Sequence, residues 1–110
     1  MKYLSLNEEA ILLAVWKLKE NAYPVTVRDV VNHMTGKDMV YGTLYNTLEH
    51  LLKKGYVTAE KGEPTPERGG KGKVFFHLTS EGITALNRIR RVRRSMWEGI
   101  EELKPETEGS

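Results

Sequence analysis

"YGTLYNTLEHLLKKGYVTAEKGEPTPERGGKGKVFFHL", residues 41–78, changes its periodicity twice in one uninterrupted run. Leu44, Leu48 and Leu51 recur at helical spacing, and Gly55 stands where a helix commonly ends in a left-handed residue. The spacing predicts a helix from about Gly42 to Lys54. "YVTAEKG" and "KVFFHL" then carry the β-branched and aromatic residues of strands, on either side of a polar stretch over 61–73. A helix followed by a two-stranded hairpin with a long loop is the expected result.

Outward from this run, "SLNEEAILLAVWKLK" places Ser5 three residues before Glu8, the spacing of a reciprocal helix cap. A helix is predicted from about Leu6 to Lys19. Ile11, Ala14, Val15 and Leu18 form one stripe on it, and Leu12 with Trp16 forms a second apolar face that needs a partner. "ENAYPV" reads as a turn around Pro24, with Thr26 and Asp29 opening a short helix of two turns through about Met34 before the break at Gly36. Beyond the hairpin, Thr79, Ser80 and Glu81 begin a last helix expected to reach about Leu103, before Pro105. Ala85, Ile89, Val92, Met96, Ile100 and Leu103 would form a continuous seam along it.

The fold class predicted is mainly α with a small β-hairpin, in the element order of a winged helix-turn-helix. Residues 1–79 would form the DNA-binding domain, 80–104 a long C-terminal dimerisation helix, and 105–110 a disordered tail. With 110 residues there is room for one core. A content of 39% hydrophobic and 29% charged residues is that of a soluble globular domain rather than a membrane-spanning or disordered chain. The absence of cysteine excludes disulfides, thiolate metal sites and cysteine nucleophiles. The apolar stretch "AILLAV" is short and follows Glu8 and Glu9, unlike a signal peptide, so a cytoplasmic location without membrane association is expected.

Charge is unevenly distributed along the chain. From Lys53 to Lys73 six basic residues accompany three acidic ones, and "RIRRVRR", Arg88 to Arg94, holds five arginines and no acid. The sign then reverses, with five glutamates and one lysine between Glu98 and Glu108.

Catalysis finds little support. His33, His50 and His77 lie on separate predicted elements without carboxylates at metal-ligand spacing, and neither a nucleophile-elbow glycine–serine turn nor a phosphate loop is present. No enzyme activity, metal or cofactor is expected. The side of the 42–54 helix opposite its leucines carries Gly42, Thr43, Asn46, Thr47, His50, Lys53 and Lys54, with Glu49 as the one acid near it. Such a face can bond bases and phosphates in a major groove, and Asn46 suits bidentate pairing with adenine. A merely solvated helix face would carry similar residues. The polar loop adds Arg68, Lys71 and Lys73 among glycines, suited to following a phosphate backbone or entering a minor groove. The arginine run is read mainly as a solvated face with a minor share in DNA binding.

Leu12, Trp16, Ile89, Val92, Met96 and Ile100 are the candidate homodimer contacts, being too apolar for the surface of a monomer. Trp16, Met96 and Trp97 could stack on a small aromatic effector, although Met and Trp at helical spacing more often belong to a core. The partners expected are a double-stranded DNA operator and a second copy of the chain. A different class of function, a winged-helix protein-interaction module without DNA binding, would use the same helix face and wing.

The stretch "VYGTLYNTLEHLLKKGYVTAEKGEPTPERGGKGKVFFHLTSEGITAL" resembles the PadR-like transcriptional regulators, and the likeness extends over roughly residues 4 to 87. These carry a Ser-Phe-Gly-Thr-Leu-Tyr-like start to the recognition helix, a Leu-x-Arg-Leu-x-x-Lys-Gly run, a Gly-Glu-Pro-Thr-Pro-Glu-Arg-Gly-Gly wing and a Leu-Thr-x-x-Gly motif. The resemblance implies dimeric repressors that bind DNA, pair through the C-terminal helix and are often released by a small molecule. It assigns Gly42, Thr43 and Tyr45 to the start of the recognition helix, and Glu63, Pro64, Arg68 and Gly69 to the wing. Two positions depart from the pattern. Val40 replaces a helix-capping serine, and His50 stands where arginine is common, so the operator preference is expected to differ from that of relatives.

Overall fold

The computed structural model describes residues 2–62 and 72–105 of the chain. Four helices and one hairpin follow in the order α1 (Leu6–Leu18), α2 (Pro24–Thr35), α3 (Tyr41–Lys54), β1 (Val57–Lys61), β2 (Val74–Leu78) and α4 (Ser80–Met96), with one 3-10 turn at Lys19–Asn21 after α1. This is the winged helix-turn-helix arrangement expected.

Each boundary has a local cause. Ser5 caps α1 reciprocally: the Glu8 amide donates to Ser5 Oγ at 3.1 Å, and the Ser5 amide donates to Glu8 Oε1 at 2.8 Å. α2 is longer than expected, 12 residues rather than two turns, because Pro24 is its first residue instead of part of the preceding turn. Proline at that position has its φ already set and lacks only an amide that no helix would use. Thr26 then sits one turn in, where its Oγ1 accepts from the Tyr23 amide at 3.1 Å. Gly55, with φ of 77°, ends α3 as its position suggested.

The four helices and the hairpin share one core. Its fully buried side chains are Ile11 and Leu12 from α1, Val27 and Val31 from α2, and Leu44, Leu48 and Leu51 from α3. Val57 and Phe76 close it from the hairpin and Ala85 and Ile89 from α4. The strands pair antiparallel with Ala59 opposite Phe76. The Phe76 amide also donates to the Ala22 carbonyl at 2.8 Å, which pins the base of the hairpin to the α1–α2 connection.

Thr79 joins α4 to the end of α3. Its Oγ1 donates to the Gly55 carbonyl at 2.6 Å while accepting from the Gly82 amide at 3.0 Å. A Cβ on residue 82 would collide with the Tyr56 carbonyl oxygen and stand 2.7 Å from Leu78 Cδ1. The glycine is therefore required for α4 to pass so close to the start of the hairpin.

α4 stops at Met96, short of the expected Leu103. Gly99 turns the chain at φ of 81°, and Glu98, Glu101 and Glu102 would have placed negative charge at the negative end of a longer helix dipole. Arg93 and Arg94 instead occupy the last turn of the observed helix, where the dipole favours them. Ile100 and Leu103 thus lie beyond the helix and do not extend its seam. Of the segment 105–110, only Pro105 is among the described residues.

Candidate nucleic-acid interface

α3 is set against α2 by polar side chains of α2 that reach the turn between them. Arg28 Nε donates to the Met39 carbonyl at 2.6 Å, and its Nη2 lies 3.2 Å from Asp38 Oδ1. Asn32, one turn later on the same face of α2, donates through Nδ2 to Asp38 Oδ1 at 3.1 Å and accepts the Met39 amide on Oδ1 at 2.8 Å. The turn before α3 is thereby bound at three backbone or side-chain groups. The Arg28 guanidinium also lies 4.7 Å from the centre of the Tyr41 ring, which stacks on Tyr45 with ring centres 6.1 Å apart. The spacing of Arg28 and Asn32 on α2 was the one sign available in the sequence.

With Leu44, Leu48 and Leu51 buried, α3 turns Gly42, Tyr45, Asn46, Glu49, His50 and Lys53 outward, all exposed. Thr43 and Thr47 are half-buried at one edge of that face, and Thr47 Oγ1 donates back to the Thr43 carbonyl at 2.8 Å. That donor is used within the helix. Lys53 lies 3.6 Å from Glu49 on the exposed side, a pairing that water screens.

Lys54 is held differently from its neighbour. Its Nζ lies 2.7 Å from Glu8 Oε2, on the carboxylate that also caps α1. Partial burial pushes the Glu8 carboxyl upward, but the Lys54 bond and the Ser5 hydrogen bonds together outweigh it and leave the group below its ordinary range. Lys54 is thus directed toward α1 rather than outward with Lys53.

On the hairpin, Lys73 Nζ sits 4.1 Å from the centre of the Tyr23 ring, and Tyr23 packs edge-on against Phe75. His77 Nε2 lies 3.2 Å from Glu60 Oε1 across the strands. Arg68 and Lys71, together with Glu63, Pro64 and Gly69, lie outside the described residues. Arg93 of the arginine run is paired with Glu9, at 2.8 and 3.1 Å from Oε1, and so ties α4 to α1.

The candidate contacts for a second copy divide into two groups. Leu12 and Ile89 are buried in the core of the single chain, so neither presents a surface to a partner. Leu13, one position on, takes the outer side of α1. Trp16, Met96 and Ile100 are exposed, and Val92 is half-buried. Nor do the three candidate effector contacts converge. Trp16 lines a groove between α1 and α4 with Glu9, Leu13, Ile83, Leu86 and Arg90, whereas Met96 and Trp97 do not. Lys19 Nζ stands 3.5 Å from the centre of the Trp16 ring. Among the described residues no three His, Asp or Glu side chains come together as metal ligands, and no helix is long and apolar enough to cross a membrane.

Several solved structures share this fold. A transcriptional regulator from Clostridium thermocellum superposes with a TM-score of 0.68 at 18% identity, covering 84% of this chain and 87% of that one. A winged-helix DNA-binding protein from STIV gives 0.66 at 20% identity, covering 86% and 95%. A PadR family transcription regulator from hypervirulent Clostridium difficile gives 0.65 at 19% identity, covering 87% and 91%. No curated protein matches the sequence. The pattern described as "Transcriptional regulator PadR-like family" matches residues 12–88.

Proposed function

Because the chain belongs to the PadR-like family of transcriptional regulators, we propose that it is a homodimeric repressor that reads its operator with α3. Each copy engages one half of a two-fold-related site, with α3 in the major groove and the wing on backbone or minor groove. The observation that carries this reading is the exposed row Gly42, Asn46 and Lys53, on a helix that follows a turn bound by Arg28 and Asn32.

Within this reading the roles are assigned from side-chain chemistry. Asn46 is the base-reading side chain, Gly42 allows close backbone approach, and Tyr45, His50, Thr43 and Thr47 flank them. Lys53 serves the phosphates, and the wing residues Arg68, Lys71 and Lys73 add contacts that do not depend on sequence. Lys54 has the smaller share, being paired with Glu8. Residues 1–79 form the DNA-binding unit in this reading, and α4 with the residues up to 104 the dimerisation segment. A cytoplasmic location belongs to this reading. Trp16, in the groove between α1 and α4, is the candidate contact for a small aromatic effector.

Selection of bound fragments from the source genome, followed by titration at several salt concentrations, tests the proposal. A regulator of this kind enriches a two-fold-related sequence and loses affinity steeply as counterions are released. A protein-interaction module would enrich no sequence and respond weakly to salt.

A further inference from the structure

Val40 is 64% exposed at the start of α3, whereas Met39 before it packs against the core. It also leaves the helix without a side-chain cap. Its φ of −74° and ψ of 149° are those of a cap residue, and its carbonyl accepts the Leu44 amide at 3.1 Å, but an isopropyl group offers no acceptor to the amides of the first turn. The side chain thus contributes neither core burial nor a cap to the single chain. The backbone that carries it is nevertheless fixed. Met39 is held through its amide by Asn32 at 2.8 Å and through its carbonyl by Arg28 at 2.6 Å. Val40 is therefore presented from a backbone already in place, and little ordering remains to be done on binding.

The major-groove edges of the bases present donors and acceptors with one apolar exception, the 5-methyl group of thymine. A recognition helix meets base edges with its N-terminal residues, the end of α3 at which Val40 stands. An exposed isopropyl group there has the thymine methyl as its one complement, since burial against an amino or carbonyl edge would leave that polar group unbonded. Resting on the placement of α3 proposed above, we infer that Val40 is a specificity-determining residue that reads a thymine in each half-site through its 5-methyl group. Val40 and Asn46 then divide the reading between them. Val40 supplies an apolar contact, and Asn46 supplies hydrogen bonds.

Uracil substitution in the selected operator tests this, because uracil differs from thymine by the methyl group alone, and synthetic DNA without methylated cytosine leaves thymine as the only source of that group. Each thymine is replaced in turn, and the affinity of the full-length chain is measured at one salt concentration. Wild type should lose about three- to fivefold at one thymine per half-site. Val40→Ser should bind the thymine and uracil operators alike while melting no lower than wild type, since serine restores a cap, so that its lost discrimination cannot come from unfolding. Val40→Ala, which brings no hydroxyl to bond a base, should be equally indifferent to the methyl group. A wild type indifferent to uracil at every position, or a uracil penalty undiminished in both variants, would overturn the reading by Val40 and leave α3 in the groove. A wild type with no preference for the operator over unrelated DNA would overturn the placement of α3 and this inference with it.

Discussion

Lys54 Nζ lies 2.7 Å from Glu8 Oε2, so the last turn of α3 is fastened to the first turn of α1 through residues 46 apart in sequence. One carboxylate thus caps a helix and holds a second one in place. Lys54→Ala should cost about 1 kcal/mol of stability and change DNA affinity little, whereas Lys53→Ala should do the reverse. Chemical denaturation and DNA titration of the two variants separate these effects.

The pH dependence follows from the same pair. Glu8 has its carboxyl held below the ordinary range in the folded chain, so its contribution is present above the unfolded value and is lost as pH falls through the folded one. Glu8→Gln should lower stability at neutral pH and flatten the acid limb of the stability profile. Thermal melts across the acid range would read this.

Gly82 meets the Tyr56 carbonyl, and no side chain fits there. Gly82→Ala should destabilise the fold by about 1–3 kcal/mol, despite the better helix propensity of alanine. Denaturant midpoints at equal slope measure it.

α3 begins at Val40 without a side-chain hydrogen bond to its first amides. Val40→Ser, in a backbone conformation already suited to a cap, should raise stability by about 1 kcal/mol. An unchanged melting temperature would mean that the first turn of α3 gains nothing from a hydroxyl there.

Arg28 makes charge-assisted bonds to the Met39 carbonyl and to Asp38, the former at 2.6 Å. Arg28→Ala should cost about 1.5–3 kcal/mol of stability and also weaken operator binding, because the turn before α3 is no longer bound to α2. Arg28→Lys should recover little of either, since an ammonium cannot hold both partners in the same plane.

The parts of this molecule that sequence made legible are local. Ser5 and Glu8, the leucine stripe of α3, and Gly55 act within one or two turns, and the spacing alone carries them. Contacts between distant segments were not legible: Arg28 with Met39, Arg93 with Glu9 and Lys54 with Glu8 depend on how elements dock. Leu12 was misplaced because neighbouring helix positions differ by about 100° on the wheel, so that Leu12 enters the core and Leu13 faces away from it. The end of α4 was overrun for another reason. Apolar spacing continued through Ile100 to Leu103, while Gly99 and the glutamates around it already marked a stop.

The central claim is that α3 reads base sequence, and Asn46 tests it most directly. Affinity of wild type and Asn46→Ala should be measured on the selected operator and on unrelated DNA at one salt concentration. Loss of about 1–3 kcal/mol on the operator alone, with a correspondingly smaller ratio between the two DNAs, is the predicted result. An unchanged ratio would contradict the placement of α3 in the major groove.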